Sequence, residues 1–180
     1  MFARTQRLTL RPGWPEDAPA LAAAIAHKDV VTKISRAPWP YTEDDARAFL
    51  TRRQASADSA LLITTLDTGT PRIIGCIGIH PEGDAHELGY WLTPDAWGRG
   101  YATEAGQHMV QIARHALGLK RLRAGHYVDN PASGRVLSKL GFTPTGRIEP
   151  QYCRARGHEV LCVKLELDLD IARGDFRLAA

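Results

Sequence analysis

Two stretches of this chain carry residue types at spacings that could hold and handle a ligand. The first, Trp97-Gly98-Arg99-Gly100-Tyr101-Ala102-Thr103-Glu104-Ala105, sets two glycines one residue apart ahead of a run that reads as the first turn of a helix. Glycine lets the backbone turn tightly and lets a ligand approach without a Cβ in the way. The free N–H groups of a helix N-terminus then suit an anion such as a phosphate. The second, Asn130-Pro131-Ala132-Ser133, is a helix start, with Asn130 as N-cap and proline at the first helical position. It also presents an amide and a hydroxyl to anything bound nearby. His86 and Glu87 add two adjacent groups able to exchange protons, of which strand alternation sends only one to a given face.

The elements that must position these residues follow from composition and periodicity. The chain has 180 residues, 44% hydrophobic and 24% charged, which fits a single domain over 1–180 with a core from about 5 to 168. The net charge of +3 suits a phosphorylated ligand, and no lysine-rich run marks a nucleic-acid or membrane surface. Cys76, Cys153 and Cys162 form no CxxC pair, and MFARTQRLTL lacks the apolar core of a signal peptide. A soluble cytoplasmic protein without a metal is expected, since no apolar run approaches the ~18 residues that span a bilayer.

TQRLTLRP (5–12) reads as an edge strand and PEDAPALAAAIAHK (15–28) as a helix. Thr42 caps a second helix, with Asp45 completing a capping box. ALLITTL (60–66), RIIGCIGIH (72–80) and HELGYWL (86–92) alternate as strands, separated by the turn sequences DTGT and PEGD. After WGRG the period becomes helical through Ala102, Ala105, Met109, Ile112, Ala113 and Ala116, stopping at Gly118. RLRAGHYV (121–128), the helix from Asn130 to Gly141, FTPTGRI and EVLCVKLEL (159–167) complete the order. GRGYAT also approximates the dinucleotide fingerprint G-x-G-x-x-G, but Thr103 replaces the third glycine and the preceding strands read as antiparallel.

LGYWLTPDAWGRGYATEA followed by VDNPASGRVLSKLGF resembles the GNAT superfamily of acetyl-CoA-dependent N-acetyltransferases, particularly its RimJ/RimL-like branch, over about residues 5–168. The resemblance implies an α/β fold: a mixed sheet of about seven strands, splayed between the strands at 86–92 and 121–128, and about four helices. It assigns Gly98, Arg99, Gly100, Tyr101, Ala102 and Thr103 to the coenzyme A pyrophosphate, although Trp97 stands where Gln or Arg is common. Tyr90, Trp91 and Leu92 fall to the pantetheine arm, Asn130 to its amides, and Arg99 and Arg135 to the phosphates. Many relatives carry an acidic tyrosine seven positions after this asparagine; the slot here is Leu137, so Ser133 becomes the candidate donor to the leaving sulfur.

The base is open among Glu87, favoured through a water, His86, Tyr152 and His126, because Gly125 fills the position that carries glutamate in another branch of the family. Near pH 7 roughly a tenth of an α-amine of pKa about 7.8 is neutral, against well under a thousandth of a lysine amine near 10.4. A missing strong base therefore favours a protein or peptide N-terminus or a weakly basic small amine. The acceptor should meet two lips, SRAPWPYT (35–42) with Trp39 and Tyr41, and 147–159 with Tyr152, Arg154 and Arg156. A homodimer is compatible with the sequence. The alternative function is a non-catalytic CoA-binding or sensory module.

Overall fold

In the computed structural model, which describes residues 2–55, 60–67 and 69–170, the strands form one eight-stranded sheet in the order β1-β2-β3-β4-β5-β6-β8-β7. They are β1 (Ala3–Arg4), β2 (Leu8–Arg11), β3 (Leu61–Thr65), β4 (Arg72–Glu82), β5 (Ala85–Leu92), β6 (Arg121–Tyr127), β7 (Thr143–Cys153) and β8 (His158–Asp168). Every neighbouring pair is antiparallel except β5–β6. The eighth strand, where about seven were expected, is the two-residue β1, which covers β2; TQRLTLRP is therefore not the edge.

Among the described residues five α-helices stand against an expected four or so: α1 (Ala18–Ile25), α2 (Lys28–Val31), α3 (Glu43–Ala55), α4 (Tyr101–Gln111) and α5 (Pro131–Leu140). The alanine-rich stretch read as one helix breaks after Ile25, where Ala26 leaves helical geometry at ψ 52° and His27 is extended. The Thr42 capping box forms: Asp45 Oδ2 accepts from Thr42 N at 3.0 Å, and Asp45 N donates to Thr42 Oγ1 at 3.3 Å. α4 runs on through a π-type turn, Ile112–Ala116.

The helices cover both faces. Met109 of α4 and Leu137 of α5 pack with Ile77, Leu88, Leu122 and Leu165 in the larger core, whereas Leu21 and Leu50 pack with Leu62, Ile73 and Cys76 on the opposite face. Segment 147–159, read as a lip, is largely hairpin. Pro144, Gly146 and Pro150 punctuate β7 like a loop, but an outer strand tolerates proline, and the β7–β8 register shifts between Pro144 and Ile148. Among the described residues no helix is long and apolar enough to cross a membrane.

Candidate active site

β5 and β6 pair at one position among the described residues, Glu87↔Arg123, and then diverge. A cleft of about 1720 Å³ opens along that divergence. It is lined by Glu87 and Tyr90 to Leu92 of β5, by Gly98 and Gly100 to Thr103, by Asn130, Ser133 and Arg135 at the start of α5, and by Tyr41, Tyr152 and Arg154. His126 lines it too, along with Arg36 and Lys139, which the sequence did not single out. His86, Trp39, Arg99 and Arg156 are not in the lining. Arg99 pairs with Asp67 at 2.7 Å and lies 5.0 Å over the Tyr101 ring; Arg156 donates to Thr32 O at 2.8 Å and pairs with Asp129. Leu137, in the slot where relatives carry a tyrosine, is fully buried in the larger core.

The loop before α4 is held from outside. Gly98 and Gly100 have φ of 72° and 80°, a region that costs a side-chain-bearing residue free energy, and Gly100 hands the chain directly to the first turn of α4. Glu104 in that turn accepts from Thr5 Oγ1 at 2.6 Å, Arg7 N at 2.9 Å and Arg7 Nε at 2.7 Å. Arg7 also donates to Arg99 O at 2.9 Å and stacks 4.7 Å over Tyr101. Burial pushes the Glu104 carboxyl up, but the bonds from Thr5 and Arg7 outweigh it and leave the group below its ordinary range. The result is a turn fixed before any anion arrives.

At the start of α5, Asn130 Oδ1 accepts from Ser133 N at 3.4 Å, so the cap expected from sequence is made. The Ser133 hydroxyl lies 2.8 Å from Tyr90 Oη, which joins α5 to β5 across the cleft. Burial pushes the Tyr90 phenol up to about 12, more than its bond to Ser133 lowers it, so it keeps its proton near neutral pH. His126 lies against the same helix: a Cβ on Gly134 would meet its Nε2 at 2.7 Å, so glycine is what admits the imidazole there.

The β4–β5 ladder is regular, with His80 opposite Glu87 and Glu82 opposite Ala85. Glu82, His80 and Glu87 therefore share one face. His80 Nε2 is 3.8 Å from Glu87 Oε2, and the two side chains are only 15% and 14% exposed. Burial pushes the Glu87 carboxyl up to about 7, its hydrogen bond with Glu82 and that group's charge add to the rise, and Lys164 and Arg36 oppose it. Glu82 is lowered, chiefly by the bond with Glu87, so of the two carboxyls Glu87 is the one that takes up a proton first as pH falls. A second cavity of about 410 Å³ reaches Glu82, Glu87 and Lys164 from beside β7 and β8.

The site thus combines an anion-ready helix N-terminus, a strand edge free to pair, a bridged pair of hydroxyls and a carboxylate poised near neutrality. An Acetyltransferase (GNAT) domain model matches residues 7–143. The chain belongs to the GNAT acetyltransferases. "Uncharacterized N-acetyltransferase YoaA" of Bacillus subtilis (strain 168) is 31% identical over 159 residues, 85% of this chain and 88% of the relative. The GNAT-family acetyltransferase from Bacillus anthracis matches in structure with a TM-score of 0.79 at 23% identity, covering 94% of this chain and 99% of that one. RimL, a ribosomal L7/L12 alpha-N-protein acetyltransferase solved with coenzyme A, gives 0.78 at 20% identity, covering 94% and 99%. As a GNAT enzyme the protein is an N-acetyltransferase with acetyl-CoA as donor, and the dinucleotide reading of GRGYAT falls away.

Proposed function

We propose that this GNAT enzyme moves the acetyl group of acetyl-CoA by direct attack onto a primary amine of low basicity, a protein or peptide N-terminal α-amine or a weakly basic small amine. The observation that carries this reading is Glu87, buried in the cleft with its carboxyl raised to about 7. Such a base takes a proton almost evenly from an α-ammonium near 7.8, but more than three units uphill from a lysine ammonium near 10.4.

The N–H groups from Gly98 to Thr103 hold the pyrophosphate, and Arg135 adds charge from α5. Both positive-φ glycines and the fixed first turn of α4 fit that role. The free edge of β5 at Tyr90 to Leu92 pairs with the pantetheine arm as a further strand would. Ser133 donates to the sulfur as the thiolate leaves. Glu87, directly or through one water, receives the amine proton. Tyr41, Tyr152 and Arg154 meet the body of the acceptor, and the published description of RimL as an alpha-N-protein acetyltransferase favours a protein N-terminus among the candidates. Cys76, Cys153 and Cys162 are buried and form no disulfide, which accords with a reducing cytoplasm.

The test is release of free CoA across a panel of N-terminal peptides, amino acids, polyamines and aminoglycosides, with product mass measured. Gain of one acetyl group on an amine is the expected sign. Tight acetyl-CoA binding with no CoA release on any amine would favour a CoA-binding module instead.

A further inference from the structure

We infer that Tyr90 is a positioning residue for acetyl transfer, its hydroxyl turning the proton of Ser133 toward the departing sulfur. The inference rests on the reading of Ser133 given above. Tyr90 Oη lies 2.8 Å from Ser133 Oγ and 3.2 Å from Ser133 O, so both of its polar neighbours belong to one residue on the far side of the cleft. A phenol has one proton for these two acceptors. When it goes to the carbonyl, Ser133 gives its own proton to Tyr90 Oη and has none for a ligand. When it goes to Oγ, the serine proton is released toward the cleft, and the donated bond polarises that hydroxyl and strengthens what it donates. The backbone N–H of Ser133 is already committed to the Asn130 cap, so the hydroxyl is the group free to change partners.

The ring of Tyr90 packs against the larger core, while its hydroxyl reaches only to Ser133 among the contacts the structure gives. Its high affinity for its own proton makes it a donor that orients, not an acid. The step balances without it. The amine nitrogen–carbon bond forms, the carbon–sulfur bond breaks with its electron pair on sulfur, and the amine proton passes to Glu87. Ser133 stabilises the thiolate by hydrogen bonding, the thiolate takes a proton from water as CoA leaves, and the hydroxide so formed takes up the proton that Glu87 releases, which restores the carboxylate. Tyr90 begins and ends protonated.

The experiment compares wild type, Tyr90→Phe, Ser133→Ala and the double variant, with acetyl-CoA and an amine from the panel, from pH 6 to 9. Phenylalanine keeps the packed ring and removes only the hydroxyl. Tyr90→Phe should lower kcat about tenfold, the loss of one hydrogen bond to a developing charge, with KM for acetyl-CoA within about threefold. The loss should be the same at every pH and absent in the Ser133→Ala background. Unchanged kcat, an equal loss without Ser133, an effect confined to KM, or one confined to the alkaline limb overturns the inference. Full turnover in Ser133→Ala overturns the Ser133 reading itself, and that result is seen independently of Tyr90. Thermal melting separates misfolding from these outcomes, and should Tyr90→Phe fail to fold, Tyr90→Leu removes the same hydroxyl with a smaller apolar side chain and no new donor.

Discussion

Glu104, in the first turn of α4, lies 2.7 Å from the Arg7 guanidinium and also accepts the main-chain N–H of Arg7, 97 residues away in sequence. The loop before α4 is therefore fastened to the turn between β1 and β2. Glu104→Gln keeps the shape and removes the charge. It should lower stability by about 1–2 kcal/mol and weaken acetyl-CoA binding about three- to tenfold, read by thermal melting and calorimetry. The carboxyl is below its ordinary value in the fold, so its contribution is present above the unfolded value of 4.5 and lost as pH falls through the lower folded value. The variant should show a shallower loss of stability on the acid side.

Glu87 has the opposite sign. Its folded value is raised to about 7 from 4.5, so its contribution is present below pH 4.5 and lost as pH rises through 7. Glu87→Gln should be more stable than wild type at pH 8, by roughly 1–3 kcal/mol, and nearly equal at pH 4. Its kcat should fall roughly 10²- to 10⁴-fold, and the acid limb of the rate profile near pH 7 should vanish. Melts at the two pH values and a pH–rate series check both halves; an intact acid limb would transfer the role of base to another group.

Gly100→Val should abolish acetyl-CoA binding by calorimetry in a protein that still folds. Valine at φ 80° is strained, and its branched side chain would occupy the phosphate approach beside Arg7. In wild type acetyl-CoA should raise the melting temperature and NAD should not.

A peptide with both a free N-terminus and an internal lysine should be acetylated first at the N-terminus, located by tandem mass spectrometry. Exclusive modification of lysine would contradict the match between Glu87 and an α-amine.

Much of this was legible in the chain because it is local. The loop glycines, the Asn130 and Thr42 caps, and the strand periods each depend on residues a few positions apart. Which of His86 and Glu87 faces the cleft is not local in that sense, since a bulge would exchange them; the regular β4–β5 hairpin turning at Gly83 and Asp84 puts Glu87 with His80 and Glu82. The clamp of Thr5 and Arg7 on Glu104 left no signal, since nothing near Arg7 indicates a partner so remote. From sequence Tyr90 offers only a contact to the pantetheine arm, because the position of Ser133 opposite its hydroxyl is a property of the closed fold. β7 runs to Cys153, beyond what FTPTGRI suggests, because its prolines and Gly146 are loop residues by composition, and only an outer position with a shifted register accommodates them.

Among the described residues the single rung between Glu87 and Arg123 makes the sheet two plates joined at one rivet. On one plate β5 leads into the loop of Gly98 and Gly100; on the other β6 leads into the α5 cap, and β7 and β8 form the outer hairpin. Main-chain groups of β5 beyond the rivet have no neighbouring strand across the gap, so a ligand arm laid there completes the fabric of the protein as well as filling a pocket. Those amide protons of Tyr90 to Leu92 that face the gap, and not the alternate ones bonded to β4, should accordingly exchange quickly in the empty enzyme and slow sharply when CoA bridges the seam, leaving the outer strands unchanged.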